Sequence, residues 1–187
     1  MVARDKNHPS VFAWSLFNEP ETTSEYAKDY FTKVFEAARP LDPQNRPLTG
    51  AFEKNSAPDK CRCYQLCDFI CLNRYYGWYI SGGAEMEEAE VKFRAEMDKW
   101  AAKKLNVPFV FTEFGTDTLS TEHKLPAIMW SQEYQNEYLA MNFSVFDSYD
   151  FVQGELVWNF ADFQTSEGVM RVNGNKKGIF TRQRQPK

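Results

Sequence analysis

Apolar residues recur along this chain in two alternating rhythms. Short continuous runs read as strands: Val11–Phe17, the weaker Pro47–Phe52, Phe69–Asn73, Pro108–Thr112 and Gly154–Phe160. Between them lie stretches with apolar residues at helical spacing. The first spans about Thr23 to Ala38, with Tyr26, Tyr30, Phe31, Val34, Phe35 and Ala38 as its apolar positions, and Pro40 and Pro43 stop it. The second is charged and spans about Ala84 to Lys104, with Ala89, Phe93, Met97 and Trp100 facing inward. The third lies near Ser131 to Asp147, with Tyr134, Tyr138, Met141 and Val145 on one face.

Continuously apolar strands that alternate with helices indicate parallel strands covered by helices. Two architectures satisfy this, a (β/α)8 barrel and an open doubly wound sheet. A nucleotide-binding open sheet wants a Gly-rich turn after its first strand, and the sequence has none there. A barrel accounts better for Glu19, the Asn73-Arg74-Tyr75 group, Glu113 and Asn159. All fall at or just past strand ends, where barrels carry their reactive groups. A complete barrel takes about 250 residues, and five strands are visible here. The expectation is therefore strands four to eight of a barrel, with strands one to three and any earlier domains ahead of Met1.

Aromatic residues make up 16% of the 187-residue chain, which is too many for a disordered segment. The 22 basic and 26 acidic residues give a net charge of −4, with no basic bias for nucleic acid. No apolar run approaches the roughly 20 residues that span a bilayer. The N-terminus is polar and has no signal-peptide core, so a cytoplasmic location is expected. Cys61, Cys63, Cys67 and Cys71 follow a C-x-C-x3-C-x3-C spacing that matches no common zinc pattern. Reduced thiols are expected there rather than a metal site.

Glu19 and Glu113 each end an apolar run, where burial raises a carboxylate's pKa. A single carboxylate in such a place is commonly structural. Two at one barrel mouth are the equipment of glycoside hydrolysis, in which one protonates the leaving oxygen and the other attacks or activates water. The residues alone leave both readings open.

The stretch Asp5-Lys6-Asn7-His8-Pro9-Ser10-Val11-Phe12-Ala13-Trp14-Ser15-Leu16-Phe17-Asn18-Glu19 resembles the acid/base signature of the retaining β-galactosidase/β-glucuronidase family. Phe111-Thr112-Glu113-Phe114-Gly115 is similar to that family's nucleophile strand. The resemblance implies Glu19 as acid/base and Glu113 as nucleophile, on strands four and seven of the barrel. It also implies Asn18 on the sugar 2-hydroxyl, Tyr75 on the nucleophile, Tyr79 near the sugar and Trp158 beneath the ring. Tyr76 and Trp78, in the same aromatic stretch, fit a core cluster. No cofactor and no metal are implied.

Asn173-Gly174-Asn175-Lys176-Lys177-Gly178-Ile179-Phe180 resembles the Asn-x-Lys motif of the β-glucuronidase branch. Asn175 and Lys177 would then hold a C6 carboxylate, and a neutral galactoside would leave that lysine unpaired. The plain alternative, a solvated basic loop, suits Lys176 and the tail. The implied substrates are β-glucuronide conjugates or oligosaccharides containing glucuronic acid, turned over by a homo-oligomeric full-length enzyme. Two other readings stay open: a β-galacturonidase or β-galactosidase of the same family, and a non-catalytic truncated fragment.

Overall fold

The structure is a computed structural model and describes residues 1–83 and 86–187. A short helix, α1 (Val2–Asp5), precedes strand β1 (Trp14–Asn18). Then follow α2 (Ala27–Ala38), β2 (Leu48–Phe52), β3 (Ile70–Asn73), α3 (Met86–Ala102), β4 (Phe109–Phe114), α4 (Gln132–Phe146) and β5 (Val152–Val157). The five strands form one sheet, parallel throughout, in the order β1-β2-β3-β4-β5. A doubly wound sheet reverses direction at a switch point. This sheet never does, and every strand pairs with the next in sequence, which is the barrel arrangement.

The core lies between the sheet and its helices. Phe17 meets Phe31 of α2 at 4.8 Å and Phe52 of β2 at 5.2 Å. A side chain on Gly50 would collide with the Phe17 ring, so glycine here is what lets β1 and β2 share that aromatic. Farther along, Phe93 of α3, Phe111 of β4 and Phe146 of α4 form a triangle with centroids 4.1 to 5.7 Å apart. Edge-on and stacked ring pairs of this kind add to simple area burial.

The expected inward faces of α3 and α4 are buried as read. Ser131 caps α4 by accepting the Tyr134 N–H at 3.1 Å, which fixes the start of that helix. The expected start of α3 at Ala84 falls, with Glu85, outside the described residues. Within the Pro47–Phe52 run, Leu48–Phe52 is a fully buried strand, although its sequence signal was weak.

Three expectations need correction. Tyr26 and Tyr30 are 79% and 64% exposed, because the buried stripe of α2 is Ala27, Phe31, Phe35 and Ala38, one position round the helix. The first strand begins at Trp14 rather than Val11. Its first ladder bond is Trp14 N–H to Pro47 O, and Phe12 before it stays exposed against Phe69. The last strand runs Val152–Val157 rather than Gly154–Phe160. Past Trp158 the backbone leaves β4: Asn159 N–H donates to Lys177 O and Phe180 N–H to Phe160 O. The apolar run there continues into a different pairing.

Ladder irregularities sit at the strand ends that carry the candidate residues: between Ser15 and Asn18, Leu72 and Asn73, and Phe111 and Phe114. Bulges of this kind re-aim side chains.

The buried triangle gives a direct test. Phe111→Ala should cost about 3–5 kcal/mol in chemical denaturation. Tyr30→Ala, on the exposed side of α2, should cost within about 0.5 kcal/mol. Equal losses would mean that the helix faces are assigned incorrectly.

Candidate active site

The C-terminal end of β3 organises the site. Arg74, fully buried, places its guanidinium on both carboxylate oxygens of Glu96 from α3, at 2.8 to 3.1 Å. Its Nη1 also donates to the carbonyls of Phe52 and Asn73, each at 2.9 Å. Glu96 accepts further bonds from Tyr76 Oη (2.8 Å) and Trp100 Nε1 (3.1 Å). The backbone on either side of Arg74 is thereby fixed, and Asn73 and Tyr75 point into the site.

Asn73 is buried and joins three strands. Its Nδ2 donates to Asn18 Oδ1 at 3.1 Å and to Glu19 Oε1 at 2.9 Å. Its Oδ1 accepts from Thr112 Oγ1 at 2.6 Å. Glu19 itself has φ 53, a left-handed conformation rare for a residue with a side chain, and its N–H is held by Ala51 O at 2.9 Å. Glu113 Oε2 accepts from Tyr75 Oη at 2.7 Å. Burial raises the Glu113 pKa above the ordinary carboxylate range, and the charge of Glu19 adds to the rise. The hydrogen bond from Tyr75, the Asn73 amide and the charge of Lys177 pull it back. Burial likewise drives the Tyr75 phenol upward, assisted by the adjacent Glu113 charge. The two carboxylates therefore belong to one connected network, beside a cleft of about 390 Å³ lined by Glu19, Asn73, Tyr75 and Tyr79.

The second half of the site is cationic. Lys177 is 1% exposed, with its Nζ 4.8, 5.2 and 5.9 Å from the ring centroids of Tyr79, Trp78 and Tyr75. It is not unpaired: Nζ is in contact with Asp117 Oδ2. The reading that only an acidic sugar would provide its partner is thus corrected, because Asp117 already does. Asn175 is buried, and its Oδ1 accepts the Lys177 N–H at 2.9 Å, which leaves Nδ2 as the donor its side chain can offer outward. Tyr79 Oη accepts from Arg171 Nη2 at 2.8 Å. Trp158 follows β5, with its N–H on Phe114 O at 2.8 Å and its ring edge-on to Phe163. A side chain on Gly115 would run into the Trp158 carbonyl, so glycine after Glu113-Phe114 allows the two strand ends to converge. Lys176 pairs with Asp162 at 3.9 Å, apart from this group.

The structure thus joins Asn18, Glu19, Tyr75 and Glu113 in one network. Tyr79, Asn175 and Lys177 form another beside it, sharing the aromatic wall. Sequence reasoning placed Asn73 at a strand end without giving it a role, and missed Glu96, Asp117 and Arg171. Asp117 and Arg171 lie in loops with no periodic signal. The four cysteines are buried and unpaired. Burial pushes the Cys63 and Cys67 thiols up to about 12 and Cys71 to about 11, which makes them poor nucleophiles.

Over residues 1–187 the chain matches the family model for glycosyl hydrolases family 2, TIM barrel domain. It is 49% identical over 188 residues to a β-glucuronidase of Paenibacillus borealis and 43% identical over 189 residues to that of Homo sapiens. These alignments cover all of this chain but only 30% and 28% of those proteins. Among solved structures, it superposes with a TM-score of 0.98 on the β-glucuronidase of Ruminococcus gnavus in complex with uronic deoxynojirimycin. The two are 75% identical, over 100% of this chain and 32% of that one. The same Ruminococcus gnavus enzyme in complex with D-glucuronic acid gives a TM-score of 0.97 at 76% identity, over 98% of this chain and 32% of that one.

The site geometry makes a prediction about protonation. In a carbon-13 NMR titration the Glu113 carboxyl should titrate above the ordinary carboxylate range. Tyr75→Phe removes a bond that favours the ionised form, so the midpoint should move higher still. The ionised form is then lost at a higher pH as acid is added. A downward move would contradict the assigned network.

Proposed function

This chain belongs to glycosyl hydrolase family 2 through its TIM barrel domain, and on that premise we propose that it carries the reacting groups of a retaining β-glucuronidase. The observation that carries the reading is one network joining two carboxylates at the ends of β1 and β4, beside a buried lysine on an aromatic wall. We further propose that these five strands are the fourth to eighth of the barrel, the rest lying elsewhere in a longer protein. Glu19 and Glu113 then fall on strands four and seven.

In the proposed mechanism Glu113 attacks the anomeric carbon while Glu19 protonates the glycosidic oxygen, which leaves with the aglycone. A glycosyl ester on Glu113 results. Glu19, now a carboxylate, takes a proton from water as the water oxygen attacks the same carbon and releases Glu113. Two inversions give net retention. Tyr75 steadies the Glu113 charge. Asn73 orients Glu19 and occupies Asn18 Oδ1, which leaves Asn18 Nδ2 for the sugar 2-hydroxyl. Trp158 offers an apolar face to the ring. Lys177 and Asn175 present an ammonium and an amide N–H to the C6 carboxylate, a charge-assisted pairing.

The roles are separable by experiment in the enzyme that carries these residues. Glu113→Ala should abolish turnover of p-nitrophenyl β-D-glucuronide, and azide should restore it with an α-glycosyl azide as product. Glu19→Ala should lose about 10²–10⁴-fold with poor leaving groups, far less with p-nitrophenol, and yield a β-glycosyl azide. The opposite pairing of azide anomers would exchange the two assignments. Initial release of α-glucuronic acid by the unaltered enzyme, followed by proton NMR, would exclude retention.

The uronate reading has its own test. Lys177→Ala should lower kcat/KM for the glucuronide by roughly ten- to a hundredfold, with little change for the glucoside. Lys176→Ala, whose ammonium pairs with Asp162, should leave the ratio of the two unchanged. Loss of preference in Lys176→Ala alone would place the motif one residue away.

A further inference from the structure

We propose that Asp117 is the resident counter-ion of the uronate site, a positioning residue that keeps the Lys177 ammonium charged and aimed before substrate arrives. This rests on the reading of Lys177 as the residue that binds a substrate carboxylate. Asp117 is 1% exposed and uses both carboxylate oxygens. Oδ1 accepts the Lys176 backbone N–H at 2.8 Å, and Oδ2 meets Lys177 Nζ. Arg171 Nη1 lies 3.7 Å from the same Oδ2. One carboxylate therefore fixes both the loop that carries Lys177 and the ammonium at its tip.

Two opposite outcomes are conceivable for removing the Asp117 charge. The site would become more cationic and attract a uronate better, provided Lys177 stays protonated. The condition fails on physical grounds. A buried ammonium without a counter-ion shifts by up to about 3–5 pH units toward its neutral form. Lys177 is as buried as Asp117, and three aromatic faces surround its nitrogen. Ring faces weakly favour a cation and replace neither water nor a full charge. Competition with substrate is not an obstacle, because an ammonium has three N–H donors and Asp117 occupies one.

The other ionisable groups around this pair come from every neighbouring segment. They are Tyr75 and Tyr79 after β3, Glu113 on β4, and Arg171 and Lys187 from the loops beyond β5. Glu113 serves chemistry on any sugar, so its titration affects glucuronide and glucoside alike. Arg171 stays charged at any working pH. Lys187 is held by Asp162 at 2.7 Å. Burial also lowers the Lys187 pKa, so a pH effect confined to the glucuronide reports on Lys177 only where Lys177→Arg removes it.

The test is Asp117→Asn in the enzyme that carries this chain. An asparagine keeps an acceptor for the Lys176 N–H, while an amide NH2 replaces the oxygen that meets Lys177, so the charge and that acceptor are lost together. The glucuronide-to-glucoside ratio of kcat/KM should stay near the unaltered value at about pH 5 and fall at least about tenfold by about pH 9, through KM. The glucoside profile should lack this fall toward pH 9, whatever shift of its acid limb follows from the altered charge near Glu113. Adding Lys177→Arg should flatten the ratio again, since a guanidinium keeps its charge. A ratio that matches the unaltered enzyme at every pH overturns the proposal, as does an equal fall for both substrates. A second measurement needs no variant. Calorimetry with D-glucuronic acid at about pH 8.5, in buffers of different ionisation heat, should show no proton uptake by the unaltered enzyme. Uptake approaching one proton would mean that Lys177 was not already charged, and would end the proposal. An unaltered enzyme with no preference for glucuronide over glucoside removes the uronate reading itself. A preference that Asp117→Asn leaves intact removes only the role of Asp117.

Discussion

The Arg74 guanidinium is the constraint on which the site is built. Burying a charge completely is costly, and the cost is offset only when partner and geometry are both complete. Glu96 meets the Nε–Nη2 edge of the guanidinium with both oxygens, and the carbonyls of Phe52 and Asn73 take another donor. Those contacts hold the ends of β2 and β3 and the middle of α3 in one fixed relation. The residues immediately before and after Arg74 inherit that rigidity, and they are the two that hold the carboxylates. Neither Asn73 nor Tyr75 needs to be ordered when a ligand arrives, which is how a site avoids an entropy loss on binding.

From that anchor the pocket divides into an acidic and a cationic half with opposite physical demands. Glu113 is half-buried near another carboxylate and is held toward ionisation by donors. Lys177 is more deeply buried and is held by an anion and ring faces. The halves are not independent, since the charge of Lys177 also favours the ionised form of Glu113. Tyr75 belongs to both, bonded to Glu113 at its hydroxyl and facing Lys177 with its ring. A change in one half is therefore felt in the other.

Much of this was legible in the sequence, and the remainder was hidden for definable reasons. Strand and helix positions follow from periodicity, which is local. The two glutamates stand out because a carboxylate ending an apolar run is unusual. Lys177 was read as waiting for a partner because Asp117 lies sixty residues earlier in a loop, and no spacing rule links the two. Glu96 looked like one more charge on a charged helix, and only the fold shows that it faces inward. The tyrosines of α2 were misplaced because Tyr26 and Tyr30 lie one step from the true stripe, close enough to mimic it. The last strand was extended too far because an apolar run does not reveal when its backbone changes partner.

Glu19 occupies a conformation that glycine adopts freely and that a residue with a side chain adopts at a cost of about 1–2 kcal/mol. The fold alone would therefore favour another residue at this position. A lineage released from selection for activity, drifting only under the need to stay folded, would find glycine or asparagine at position 19 an improvement. The carboxylate at position 19 would then be lost first, while the Arg74 hub, which ties β2, β3 and α3 together, would persist. Among descendants of this sequence, the residue at 19 would separate those still under selection for turnover from those that retain only the architecture.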